Sequence, residues 1–187
     1  MAQTHKKRRD ARENKALILE TVLALSQQGV NIVDMKMADI AKASGVGVGT
    51  LYRHYENKAV LCIALLDAQA EDMFKEMDTF LEAHNDASTY ERLEGLLRIY
   101  VTLKESHFQT LSFIEKSMNR TISMVEIPFY HELAVRINAQ FDMPPDDYFI
   151  THILLHCFSS DFYFYAKNKK AFTQEDYIHK VLDIILS

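Results

Sequence analysis

Five glycines and three prolines in 187 residues leave this chain little of the punctuation that strands and tight turns require. That scarcity argues against an all-β or doubly wound fold. No strand leads through a Gly-rich turn into a helix, so a phosphate-cradling loop is not expected. Tryptophan is absent, and the two cysteines, Cys62 and Cys157, stand far apart in predicted helices. They read as two reduced thiols, which suits a cytoplasmic compartment. The longest uncharged stretch near the C-terminus, Tyr148 to Ser160, falls well short of the ~20 residues that span a bilayer. The basic N-terminus lacks a small-residue cleavage site, and its apolar run from Ala16 is amphipathic, so no signal peptide is expected. No activated serine or cysteine, paired-carboxylate motif or cofactor fingerprint stands out. Neither an enzyme nor a bound cofactor is expected.

What remains is helical and asymmetrically charged. The formal net charge is −5, yet residues 1–58 hold ten Lys/Arg against six Asp/Glu, a net of +4. Residues 59–187 hold the other eleven and twenty, a net of −9. A basic head on an acidic body is the pattern expected when one end meets a polyanion. The run Lys6, Lys7, Arg8, Arg9 and Arg12 reads either as a solvated arm or as an arm that adds DNA contacts.

The most informative stretch is residues 37–58, MADIAKASGVGVGTLYRHYENK. Met37 opens a short helix that closes near Ser44, with Ile40 and Ala41 on its apolar side. Gly45 follows where helices turn left-handed, and Val46 fills the gap before a second helix. There Leu51 and Tyr55, four residues apart, face inward, while Val48, Thr50, Tyr52, Arg53 and His54 spread outward. A helix exposing hydroxyl, imidazole and guanidinium groups behind a tight turn suits contact with phosphates and base edges.

This run resembles the DNA-binding module of the TetR family of bacterial transcription regulators. The resemblance rests on Ile40–Ala41, Ser44–Gly45–Val46, Thr50–Leu51–Tyr52, His54–Tyr55 and Asn57–Lys58. It is strong over about residues 12–66 and architectural beyond. Gly47 stands where the family often has a capping Ser or Thr, and Lys36 where a Thr often caps; Asp34 is expected to serve instead. The resemblance implies a DNA surface of Val48, Gly49, Thr50, Tyr52, Arg53, His54 and Lys58. Arg53 is the candidate base reader, and Lys58 the phosphate contact at the start of the fourth helix.

The periodicity predicts nine helices and an all-α architecture. A helix-turn-helix domain spans 1–58 and a helical ligand-binding and dimerisation domain spans 59–187. The first helix, about Asp10 to Gln28, carries Leu17, Ile18, Thr21, Val22 and Leu25. Asn57 caps a long fourth helix, and Ser88 or Thr89 a fifth that reaches about Glu105. A sixth runs from Phe108 to about Arg120. Pro128 starts a seventh that ends near Phe141. An eighth reaches from Asp146 to about Lys167, and Thr173 caps the last, Gln174 to Leu186.

Aromatic rings and flexible Met side chains in the body read first as core. If the body encloses an apolar ligand site, as the resemblance implies, the candidate lining is Met73, Met77, Phe108, Phe113, Met118 and Phe129. Such a lining suits a hydrophobic or cationic small molecule. The last two helices are apolar over a wide girth, which predicts a second buried face against another copy. The candidate dimer residues are Phe158, Phe162, Ile178, Leu182 and Ile185. His152 and His156, with Cys157 adjacent, have metal-compatible spacing, but no third ligand is placed by sequence, so no metal is expected. The resulting expectation is a homodimeric repressor released from a pseudo-palindromic double-stranded DNA operator by a small-molecule effector, with no membrane partner. Control by a protein partner, or activation, is the alternative within that fold. The rival from another class is a helical metal- or small-molecule-binding protein that does not use DNA.

Overall fold

The computed structural model describes residues 2–117, 126–144 and 146–187, with side chains from residue 12 onward. Those residues form ten helices and no strand. They are α1 (Ala2–Gln27), α2 (Met37–Ala43), α3 (Val48–His54), α4 (Lys58–Ala83), α5 (Thr89–Ser106), α6 (Phe108–Ser117), α7 (Pro128–Asn138), α8 (Phe149–Cys157), α9 (Ser160–Lys170) and α10 (Gln174–Ile185). No helix among the described residues is long and apolar enough to cross a membrane.

The chain divides into two compact units, Met1–Gln69 and Ala70–Ser187. The division falls inside α4, later than the expected boundary at residue 58. The first half of α4 supplies Leu61 and Leu65 to the core of the first unit, which explains the shift. That core also contains Ile18, Val22, Ile32, Met37, Ile40, Ala41, Leu51 and Tyr55. Leu17, expected on the same stripe, is instead exposed. Helix α1 starts at Ala2 rather than near Asp10, because the preceding Ala, Gln, Lys and Arg residues favour helix and no Gly or Pro interrupts them.

In the second unit, α5 begins with a reciprocal cap. The Ser88 hydroxyl accepts from Glu91 N, and the Glu91 carboxylate accepts from Ser88 N at 2.8 Å. Helix α10 is capped by Thr173, whose hydroxyl accepts from Asp176 N at 3.0 Å. The single eighth helix expected from sequence is two. Phe158 N and Ser159 N donate to Leu155 and His156 carbonyls, tightening the end of α8. Ser160 N then leaves the helical ladder and donates to the Glu115 carboxylate at 2.7 Å. A tertiary acceptor, not a Gly or Pro, makes this break.

Glu115 joins four helices. Its Oε1 accepts from Lys104 Nζ of α5 at 2.8 Å and from Tyr130 OH of α7 at 2.9 Å, while its Oε2 holds the start of α9. Lys104 is fully buried. Burial alone would lower its pKa, but Tyr100 and Glu115 outweigh that and leave it raised. Burial first, with Tyr100 and Glu115 adding to it, pushes the Tyr130 phenol well up. The ammonium is therefore a paired charge inside the bundle.

Candidate nucleic-acid interface

The first unit presents α3 through a short turn. Ser44 ends α2, with its hydroxyl donating to Ile40 O at 2.9 Å. Gly45 adopts φ +66°, where an L side chain would be strained, and Val46 N returns to Ala41 O at 3.0 Å. Gly47 is the N-cap of α3 and offers no side-chain bond. Lys36 is the N-cap of α2, also without one. Asp34 does not replace it: its carboxylate accepts from Asn31 Nδ2 at 2.6 Å, inside the preceding loop.

Two side chains root α3. Leu51 and Tyr55 are buried, and Tyr55 OH donates to Lys15 O of α1 at 3.4 Å. Burial raises the Tyr55 phenol pKa. With that face fixed, the opposite face is open. Val48 and Tyr52 are 44% and 49% exposed, large fractions for apolar and aromatic side chains. Gly49 and Arg53 are exposed, and Thr50 and His54 are half-buried. A Cβ at Gly49 would meet nothing within 4 Å, so packing does not demand glycine there.

Lys58, expected to contact a phosphate, opens α4. It is half-buried, and its Nζ donates to Val33 O at 2.6 Å, tying the start of α4 to the loop between α1 and α2. Asn57 caps α4, its Oδ1 accepting from Val60 N at 3.0 Å.

The residues suggested for ligand and dimer contacts divide between interior and surface. Met73, Met77 and Phe129 are buried, with the Phe129 ring 4.9 Å from Tyr130 and 5.8 Å from Phe74. Phe113 is half-buried. Phe108 is exposed at the first position of α6, its ring tilted against Phe164 with centroids 4.1 Å apart, so it does not share the interior of Phe129. Met118 lies outside the described residues. Of the dimer residues, Phe158, Ile178 and Leu182 belong to the core of this chain. Their apolar faces are used within one chain, which removes them from any surface. Phe162 is 68% exposed and Ile185 half-buried. On the last three helices the outward large apolar positions are Phe149 and Ile153 on α8, Phe162 and Tyr165 on α9, and Ile184 on α10. His152 stacks on Tyr148, and His156 is exposed.

Sequence reasoning missed the Lys104–Glu115 pair. Its signal was present in α5: Lys104 follows Leu93, Leu97 and Tyr100 by eleven, seven and four residues, on the side that faces inward.

Comparison with known proteins agrees with this geometry. Residues 25–65 match the family described as "Bacterial regulatory proteins, tetR family". The chain is 41% identical over 184 residues to HTH-type transcriptional regulator SAR0097 of Staphylococcus aureus (strain MRSA252), covering 97% of this chain and 96% of that protein. It is 29% identical to HTH-type transcriptional regulator SAR2658 of the same strain, covering 96% of each. Among solved structures, a TetR transcriptional regulator from Rhodococcus sp. RHA1 superposes with a TM-score of 0.64 at 16% identity, covering 95% of this chain and 97% of that one; this likeness concerns the fold. With a glycine-turned helix pair at its head and near full-length similarity to such regulators, the chain belongs to the TetR family of helix-turn-helix DNA-binding transcriptional regulators.

Proposed function

We propose that this protein is a homodimeric repressor that binds a pseudo-palindromic operator through α3 and releases it when a small hydrophobic or cationic molecule enters the second unit. The observation that carries the reading is the polarity of α3: Leu51 and Tyr55 fix one face, leaving Val48, Gly49, Tyr52 and Arg53 outward. Helices of this kind lie in the major groove, where a guanidinium bonds two acceptors of guanine. Arg53 is assigned that role, and Thr50, Tyr52 and His54 contact phosphates or base edges. Lys58, at the start of α4, is assigned a phosphate contact.

Selection of DNA from a random pool tests this directly. The wild-type protein is expected to recover an inverted repeat, and Arg53→Ala to relax one or two base pairs per half-site at a cost of about 1–3 kcal/mol. Lys58→Ala is expected to weaken binding on all sequences and to lower the salt slope by about one. An Arg53→Ala motif identical to the wild type would assign Arg53 to the backbone.

Dimerisation is assigned to the outward apolar residues of α8 and α10, together with the exposed Phe162 of α9. Ile153→Glu combined with Ile184→Glu is expected to give a folded monomer by light scattering. A dimer that survives both charges would place the interface elsewhere.

The effector reading rests on the ring-rich interior around Phe74, Tyr100, Phe129 and Tyr130. A ligand shifts an equilibrium only by its differential affinity for two states. The continuous helix α4 begins at Lys58 in the first unit and carries Met73 and Met77 in the second, making it the natural carrier of that bias. Lipophilic cations found by thermal-shift screening are expected to weaken operator binding about 5–150-fold. A cation that stabilises the protein yet leaves operator affinity unchanged would contradict this.

A further inference from the structure

Away from α3, two helices of the second unit bring three metal-ligating side chains together. Glu94 of α5 and Glu175 and His179 of α10 place one ligand atom each so that all lie within 4.8 Å of one another. No other group of three or more His, Cys, Asp or Glu converges in this way among the described residues. Glu175 and His179 are four residues apart on one helix, so both side chains project to the same side. Glu94 approaches from the helix packed against it.

We propose that Glu94, Glu175 and His179 bind a divalent transition metal, with zinc the best match, and that the metal clamps α10 to α5. One of the three ligand pairs, itself a hydrogen-bonded pair, has the spacing a metal would need. Zinc holds nitrogen and oxygen ligands at about 2.0–2.2 Å in a tetrahedron, which puts neighbouring ligand atoms about 3.3 Å apart. His179 Nε2 and Glu94 Oε1 stand 3.2 Å apart. Glu175 is exposed, and three protein ligands leave the fourth tetrahedral position for water. One imidazole with two carboxylates also favours zinc over magnesium or calcium, which prefer all-oxygen sites.

A positive charge already occupies this place. Arg98 Nη2 lies 2.5 Å from Glu94 Oε1 and 3.7 Å from Glu175 Oε1. Its side chain is 55% exposed, so it can withdraw into solvent when a metal arrives. Arg98 and the metal would therefore compete for the same two carboxylates. Around the site, the Tyr90 ring lies 6.2 Å from His179, and Tyr90 OH donates to Asp183 one turn further along α10.

The test titrates the full-length protein with Co(II), read by its visible absorption, and with Zn(II) against a chromophoric chelator. One metal per chain is expected, with a higher melting temperature in zinc. His179→Ala and Glu94→Gln are expected to weaken binding about tenfold or more. Arg98→Ala keeps every ligand and is expected to bind more tightly, so the proposal stays testable if a ligand variant misfolds. Absence of saturable binding in the wild type and in Arg98→Ala would overturn it. So would metal binding that survives His179→Ala but is lost on replacing His152 and His156.

Discussion

Glu115→Ala is expected to lower the unfolding free energy by about 3–5 kcal/mol, the cost of leaving a buried charge without its partner. The charge is Lys104, with no exposed surface and its Nζ 2.8 Å from the carboxylate. The same substitution removes the acceptor of Tyr130 OH and of Ser160 N, so α7 and the start of α9 also lose an anchor. Typical domains are stable by only about 5–15 kcal/mol, and the variant should unfold at markedly lower urea. Adding Lys104→Met is expected to restore much of the loss, because the unpaired charge is then gone. A Glu115→Ala protein within about 1 kcal/mol of wild type would mean that Lys104 finds water or another partner.

Deleting Gln174–Ser187 is expected to unfold the second unit rather than merely separate two subunits. Helix α10 contributes Ile178, Val181 and Leu182 to the interior and packs on α5, α8 and α9. At roughly 1.5–3 kcal/mol for each buried side chain, their loss amounts to roughly 5–9 kcal/mol. That is comparable with the stability of a whole domain. Loss of cooperative melting and of near-ultraviolet circular dichroism would report it. A soluble, cooperatively folded truncated chain would show that α10 is an appendage.

The two predictions concern features that were unequally legible in the sequence. Local chemistry was readable: a cap at Ser88 or Thr89, the Thr173 cap, Pro128 opening α7 and the left-handed Gly45 each act over four residues or fewer. The helix-turn-helix was legible for the same reason, since Leu51 and Tyr55 select one face of a short helix. Tertiary choices were not. The break at Phe158–Ser159 depends on Glu115, more than forty residues away, and neither Gly nor Pro marks it, although Ser159 stands as the N-cap of α9. The girth of α8 and α10 showed two apolar faces, but periodicity cannot say which one enters its own core. Phe158, Ile178 and Leu182 do so, leaving Phe149, Ile153 and Ile184 outside. The phosphate contact expected of Lys58 rests on the resemblance, whereas its bond to the Val33 carbonyl, 25 residues away in the chain, has no local signal.

Gly95 shows how closely the second unit is fitted. A Cβ there would lie 2.0 Å from a Phe80 ring carbon, so this α5 position needs glycine for close approach rather than for backbone freedom. The Phe80 ring also stacks on His84 at 4.2 Å.

The central claim is that α3 reads DNA sequence. The most direct test is a fluorescence-anisotropy titration of the full-length protein with the selected duplex and a scrambled duplex, over a series of salt concentrations. The account predicts at least about a thousandfold preference for the selected duplex near physiological salt. It also predicts an affinity that falls steeply and log-linearly with salt as lysines and arginines displace counterions. Equal affinity for the two duplexes, or none that salt can modulate, would contradict it.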